Sequence, residues 1–193
     1  TGLRELDVAT VCEHDTASAF LAACAARNEA ILSSGTWSLV GIETDAPIIT
    51  EYGYRHNIAN EGGMPGHHRV LINVAGSWVL QELQRELAQS GQSYDFTQIG
   101  QLAQEAVPFQ HSIDVDDQVF FAPGPMAARI RGMSQLSSGR VPQTHGELFR
   151  CVYESIALKY RSALQHLERL SGRQLRAIRL VGGGAQDRFF EPT

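Results

Sequence analysis

The feature that most limits the fold of this chain is a long amphipathic helix followed directly by a short strand and a triple glycine. Residues Thr144 to Glu147 fit the capping box, in which a threonine oxygen and a glutamate accept hydrogen bonds from backbone amides at a helix start. Apolar residues then recur at helical spacing to about Leu170, and Gly172 predicts the helix end. A strand at 175–181 and a turn at 182–184 follow, with a new helix expected after them. This order is typical of α/β proteins.

The preceding segments alternate strands and helices in the same way. They predict a buried strand at 7–12, a helix at 16–26, a hairpin of strands 29–32 and 37–43, a loop at 44–66, and helices at 67–88 and 96–106. Residues 107–143 predict an irregular connection with one short helix. One hairpin among alternating elements indicates a single α/β domain whose mixed sheet is flanked by helices.

Composition excludes several classes of protein. The 193 residues are 43% apolar, which is enough for one sizeable core, and a net charge of −5 disfavours a nucleic-acid partner. No apolar run approaches the roughly 18 residues that span a membrane, and the first residues lack the pattern of a signal peptide. Three cysteines without close spacing and scattered histidines predict neither a disulfide framework nor a metal site. The expected location is the cytoplasm.

Three polar turns follow predicted strands, where ligands bind in α/β sheets. Asp15 lies where a strand becomes a helix, so it either caps that helix or acts as a general base. Residues 33–36 form either a plain turn or a phosphate cradle that includes the Thr36 hydroxyl. Residues 182–184 precede a helix start, which favours anions, but they match neither the dinucleotide-binding fingerprint nor the P-loop. Together these turns predict a nucleotide between two phosphate-facing turns, with an acid nearby.

Six stretches of the chain resemble, in the same order, the C-terminal half of the FGGY carbohydrate kinases. They are EHDTASAF at 13–20, SSGTWSLVGIE at 33–43, NEGG at 60–63, RVLINVAGSWVLQE at 69–82, RCVYESIALKYR at 150–161 and VGGGAQD at 181–187. The resemblance covers essentially the whole chain. Because HDTASA occurs together with SSGTWSL, the chain resembles the branch of the family whose members phosphorylate L-rhamnulose.

The resemblance implies an actin-like ATPase fold, related to ribonuclease H, in which two domains close on a sugar and Mg-ATP. It matches the catalytic base to Asp15, the sugar contacts to His14, Asp15, Thr16 and Asn73, and the ATP contacts to Thr36, Gln81 and Gly183. On this interpretation residues 1–193 are the C-terminal, ATP-binding domain, incomplete at its C-terminus and without the N-terminal sugar-binding domain. The isolated chain is therefore expected to be inactive.

Three residues of the stretch 69–82 carry further expectations. Asn73 and Gln81 lie eight positions apart in a predicted helix, so they can share one helix face. Ile72 stands where the family usually has a lysine, which would remove a charge near the sugar.

The implied reaction is ATP-dependent phosphorylation of a ketose, with L-rhamnulose 1-phosphate as product. The alternatives are another sugar of the family, such as xylulose or fuculose, or a non-catalytic relative that binds a nucleotide or sugar. The expected partners are sugar and ATP, without nucleic acid or membrane. An exposed face between domains leaves self-association into a homo-oligomer open.

Overall fold

A computed structural model of the protein describes residues 15–63, 66–186 and 189. Within these ranges one five-stranded sheet has the order β3-β4-β2-β1-β5. Its strands are β1 Glu29–Ser33, β2 Ser38–Thr44, β3 Ala59–Gly62, β4 His68–Val74 and β5 Ala177–Val181. Strands β1 and β5 pair in parallel and the other neighbours pair antiparallel, so the expected mixed sheet is confirmed.

The helices lie on both faces of this sheet. They are α1 Asp15–Ala23, α2 Glu51–Arg55, α3 Trp78–Gln89, α4 Phe96–Glu105, α5 Met126–Ser138 and α6 His145–Ser171, with short 3₁₀ helices at Gln118–Phe120 and Gly183–Gln186. The predicted hairpin and the predicted helices at α1, α4 and α6 are confirmed. The predicted strand at 7–12 lies outside the described residues. No helix in the described ranges is long and apolar enough to cross a membrane.

Helix α6 forms as its local sequence predicts. The Thr144 hydroxyl accepts a hydrogen bond from the Glu147 amide at 3.2 Å, and the Glu147 carboxylate accepts one from the Thr144 amide at 3.0 Å. The helix ends at Gly172, whose φ of +67° is the left-handed conformation that glycine adopts without strain. One buried stripe of α6 packs on the sheet, on α3 and on α4.

The two faces of the sheet are covered by different helices. Helix α1 packs on the face that carries Gly41 and Leu71, because a Cβ atom on Gly41 would lie 2.9 Å from the Phe20 ring and 2.8 Å from the Leu71 Cβ. The opposite face carries Val40 and Ile72 and packs against α3 and α6 in the main core. Helix α1 therefore occupies the face away from that core.

The predicted helix at 67–88 is wrong. Residues 68–74 form strand β4, a turn follows, and α3 begins only at Trp78. Strand β4 is buried on both faces, with Leu71 under α1 and Val70 in the main core. A strand of this kind is a continuous apolar run, which contains helical spacings by chance.

Two predicted irregular segments contain more structure than expected. Residues 44–66 include α2, where the Thr50 hydroxyl accepts a hydrogen bond from the Gly53 amide at 3.0 Å, and strand β3. Residues 107–143 include the 13-residue helix α5. Strand β3 has no buried residue and is held by pairing with β4, which its loop-like composition does not reveal.

Replacing Gly146 by alanine should destabilise the protein. Helices α4 and α6 approach so closely here that a Cβ on Gly146 would lie 2.5 Å from the Leu102 carbonyl oxygen. Overpacking of this kind costs about 1–3 kcal/mol, so we expect the urea midpoint to fall. Gly132→Ala is the matched control, because Gly132 is exposed on α5 and alanine is the better helix former. Equal midpoints for the two variants would contradict the close approach.

The stability of the protein should decrease as the pH falls, because His166 binds a proton more weakly in the folded protein than in the unfolded chain. Burial, followed by the charges of His56 and Arg169, lowers the pKa of His166, while its Nδ1 lies 2.6 Å from the Tyr52 hydroxyl. The unfolded chain therefore takes up a proton first as pH falls below about 6.5, and stability present above that pH is lost. Urea midpoints between pH 8 and 5.5 should fall less steeply for His166→Asn than for wild type. Parallel profiles would contradict this assignment.

Candidate active site

Three turns of the chain emerge at one edge of the sheet. Ser33 pairs with Val181, so the parallel strands β1 and β5 deliver the turns 34–37 and 182–184 side by side. Ser38 pairs with Val74, which brings the turn 75–77 between β4 and α3 to the same edge. This is the edge at which α/β sheets bind ligands.

The hairpin turn is fastened to the start of α3. The Ser77 amide donates to the Gly35 carbonyl at 3.1 Å, and the Trp78 amide donates to the Thr36 carbonyl at 3.0 Å. Gly76 makes this contact sterically feasible, because a Cβ there would lie 2.8 Å from both carbonyl oxygens. The close approach holds two segments of backbone in a defined position.

Thr36 and Gln81 meet across this junction. The Thr36 hydroxyl donates to Gln81 Oε1 at 3.2 Å, while Gln81 Nε2 donates to the Ser77 hydroxyl at 3.0 Å. The family resemblance matches both residues to ATP contacts on separate stretches of sequence. The structure brings them together, although not through the shared helix with Asn73 that the sequence predicted.

The glycine turn packs directly on the hairpin turn at Ser34. The Ser34 amide donates to the Val181 carbonyl at 2.8 Å, and the Gly184 amide donates to the Ser34 carbonyl at 3.0 Å. Gly182 has a φ of +88°, and a Cβ there would lie 2.5 Å from the Ser34 carbonyl oxygen. Gly183 differs, since it is exposed and its Cβ position has no other heavy atom of the described residues within 4 Å, chain neighbours aside. The middle glycine alone therefore faces open space.

Asp15 begins α1 at the same end of the sheet. The short connection 24–28 joins the end of α1 to the start of β1, so α1 runs antiparallel to β1 and its first residue lies toward the end of that strand. Asp15 is exposed, and its Oδ1 accepts a hydrogen bond from the Thr16 amide at 2.7 Å. Thr16 is buried. The predicted contact His14 lies outside the described residues.

Asn73 is an exposed residue of β4 and not of a helix. It pairs with Leu39, which in turn pairs with Ser33, so these side chains form one row on the α1 face of the sheet. Strands are about 4.8 Å apart, which puts Asn73 roughly 10 Å across the sheet from Ser33. Ile72 points the other way, into the core beside Val40 and away from the face that carries Asn73.

Residues of helix α6 stabilise the turns at this edge of the sheet. Lys159 Nζ lies 3.0 Å from an Asp116 carboxylate oxygen, and the other oxygen of Asp116 accepts a hydrogen bond from the Ala75 amide at 2.7 Å. Burial acts to lower the pKa of Lys159, but hydrogen bonds to Asp114 and Asp116 outweigh it, and the pKa is raised. The neighbouring Tyr160 hydroxyl lies 2.6 Å from the Ser38 hydroxyl. The sequence alone does not predict these supporting contacts.

One sequence signal could have found part of this support. Gly76 and Ser77 follow an apolar run and precede a helical stripe, which is the pattern of a strand, a turn and a helix cap. Asp116, Lys159 and Tyr160 carry no comparable signal, because their partners are distant in sequence.

Residues 30–191 match the model of the FGGY family of carbohydrate kinases, C-terminal domain. The chain belongs to this family. The match includes the hairpin turn, α3, α6 and the glycine turn, and begins after Asp15.

Curated relatives extend the likeness to almost the whole chain. A rhamnulokinase from Bacteroides thetaiotaomicron is 39% identical over 188 residues, which are 97% of this chain and 38% of the relative. A rhamnulokinase from Bacillus subtilis is 37% identical over 183 residues, which are 94% of this chain and 37% of the relative. The chain thus spans less than two fifths of the length of these proteins.

Solved structures of xylulose kinases share the fold. A xylulose kinase from Rhodospirillum rubrum superimposes with a TM-score of 0.64 at 22% identity, over 90% of this chain and 34% of that one. A xylulose kinase from Bifidobacterium adolescentis has a TM-score of 0.61 at 20% identity, over 91% of this chain and 33% of that one. The expected actin-like ATPase fold is confirmed.

Proposed function

We propose that this chain is the ATP-binding, C-terminal domain of a two-domain kinase that phosphorylates a ketose. The observation that carries the proposal is the meeting of three turns at one sheet edge, with the Thr36–Gln81 hydrogen bond on one side and Asp15 at the start of α1. The rhamnulokinase relatives favour L-rhamnulose as the sugar and its 1-hydroxyl as the acceptor. Action in the cytoplasm stays a prediction.

Different residues at this edge of the sheet would bind ATP and the sugar. Thr36, Gln81 and the exposed Gly183 would contact ATP, because they offer a hydroxyl, an amide and a close approach to backbone. Asp15 and Asn73 would contact the sugar, because both are exposed and associated with the α1 face. Thr16 and His14 adjoin Asp15 in the chain and complete the proposed sugar contacts.

Asp15 would accept the proton of the sugar hydroxyl. The hydroxyl oxygen would bond to the γ-phosphorus of ATP, while the bond between that phosphorus and the β-phosphate oxygen breaks. The products are the sugar phosphate and ADP. Among the described residues no three His, Cys, Asp or Glu side chains cluster as a metal site. Mg²⁺ would not need such a cluster, because it keeps several waters and binds largely through the phosphates of its nucleotide. When bound there, Mg²⁺ neutralises phosphate charge.

A coupled assay of ADP release from the full-length protein that contains this chain tests the proposal. The panel of ketoses begins with L-rhamnulose, followed by xylulose and fuculose. ADP release that depends on L-rhamnulose is expected. ADP release only with another ketose would keep the proposed kinase activity and replace L-rhamnulose as the proposed sugar. A folded protein that binds ATP but releases no ADP with any sugar of the panel would instead indicate a non-catalytic binding relative.

A further inference from the structure

A buried tyrosine joins the two ends of the hairpin turn. Ser34 and Ser38 flank the turn that contains Thr36, and Ser38 is fully buried. The Tyr160 hydroxyl lies 2.6 Å from the Ser38 hydroxyl, and the Ser34 side chain interacts with the same phenol group. One phenol group of α6 therefore contacts both ends of the turn.

The same contact reaches the glycine turn. Ser34 is the residue whose amide and carbonyl bond Val181 and Gly184, and a Cβ on Gly184 would collide with the Ser34 side chain. A shift of Ser34 would therefore shift the backbone on both sides of the proposed nucleotide site. Tyr160 on α6 is the side chain that restrains Ser34.

Helix α6 is a suitable anchor for this restraint. It is 27 residues long, has a capping box at its start and a left-handed glycine at its end, and is buried along one stripe. The preceding residue, Lys159, holds the third turn through Asp116 and the Ala75 amide. Two consecutive residues of one helix thus support all three turns.

We infer that Tyr160 is a positioning residue for the nucleotide, which holds the hairpin turn in register with the glycine turn through its hydroxyl. The inference rests on the proposed function and extends it to a residue that does not touch the ligand. The sugar contacts Asp15 and Asn73 are associated with the opposite face of the sheet, so loss of the hydroxyl acts on ATP and spares the sugar.

Steady-state kinetics of Tyr160→Phe in the full-length protein test the inference. The change leaves the ring in place and removes the hydroxyl that bonds Ser38 and interacts with Ser34. We expect the KM for ATP to rise roughly tenfold, the factor that one buried hydrogen bond carries, with the KM for sugar unchanged. Ser38→Ala removes the other partner and should have a similar effect. The double variant should be no worse than Tyr160→Phe alone, because both changes remove the same Tyr160–Ser38 hydrogen bond.

Tyr52→Phe is the matched control. It also removes a hydroxyl 2.6 Å from a partner on α6, but that partner is His166, which lies nearly two helical turns beyond Tyr160. Its KM for ATP should equal that of the wild type. If the wild-type protein shows sugar-dependent ADP release but the KM for ATP is unchanged in both Tyr160→Phe and Ser38→Ala, the inference is overturned and the proposed function stands. A wild-type protein without sugar-dependent ADP release would overturn the proposed function and the inference with it.

Discussion

Asp15→Asn should lower kcat by roughly 10²–10⁴-fold in the full-length protein, the usual effect of losing a general base. An asparagine oxygen can still accept the 2.7 Å hydrogen bond from the Thr16 amide, so the start of α1 should keep its conformation. The amide cannot take the proton of the sugar hydroxyl. The KM for ATP should stay near the wild-type value, since the ATP contacts lie on other elements.

Asp95→Asn provides a matched control for this loss of a carboxylate. Asp95 caps α4, where its Oδ1 accepts a hydrogen bond from the Gln98 amide at 2.8 Å. Asparagine caps helices about as well as aspartate, so turnover should be unchanged. If Asp15→Asn also kept full kcat, Asp15 would be a helix cap and the proposed base would lie elsewhere.

Gly183→Ala should raise the KM for ATP by about tenfold to a hundredfold. A methyl group at this position meets open space in the described structure, so the folded protein itself should lose little stability. If a nucleotide lies against Gly183, the methyl group enters its space at a cost of about 1–3 kcal/mol. Binding of ATP, measured by calorimetry beside the urea midpoint, separates the two effects.

The adjacent Gly182→Ala variant gives the contrasting result. Its Cβ would lie 2.5 Å from the Ser34 carbonyl oxygen at a φ of +88°, so the protein itself should be destabilised. Gly132→Ala, on α5 and outside the turns, should not lower the stability and should leave the ATP affinity unchanged. Unchanged ATP affinity in Gly183→Ala would remove Gly183 from the nucleotide site.

Elements governed by near neighbours were predictable from the sequence. The capping box of α6 joins residues three positions apart, and the hairpin of β1 and β2 closes through one short turn. The candidate residues Asp15, Thr36 and Gly183 followed from the rule that ligands bind at strand ends. Gln81 and Asn73 depended on the family resemblance, because a single polar residue in an apolar stretch does not by itself indicate a ligand contact.

The error at β4 has a definite physical cause. A strand covered by α1 on one face and by the main core on the other needs apolar residues at almost every position. Such a run satisfies a helical spacing as well as a strand spacing. The covering layers that decide between them come from residues distant in sequence, and for this reason the sequence predicts the wrong kind of element at Asn73.

Local chemistry determines the helix caps and turns of this protein, because each depends on hydrogen bonds between residues a few positions apart. The assembly of the site depends on long-range pairing. Strand β5 must lie parallel to β1 for Gly184 to reach Ser34, and α6 must cross the sheet for Tyr160 to reach Ser38, 122 positions away. Contacts at that separation form only when the whole core packs, so the support of the turns becomes visible only in the folded molecule.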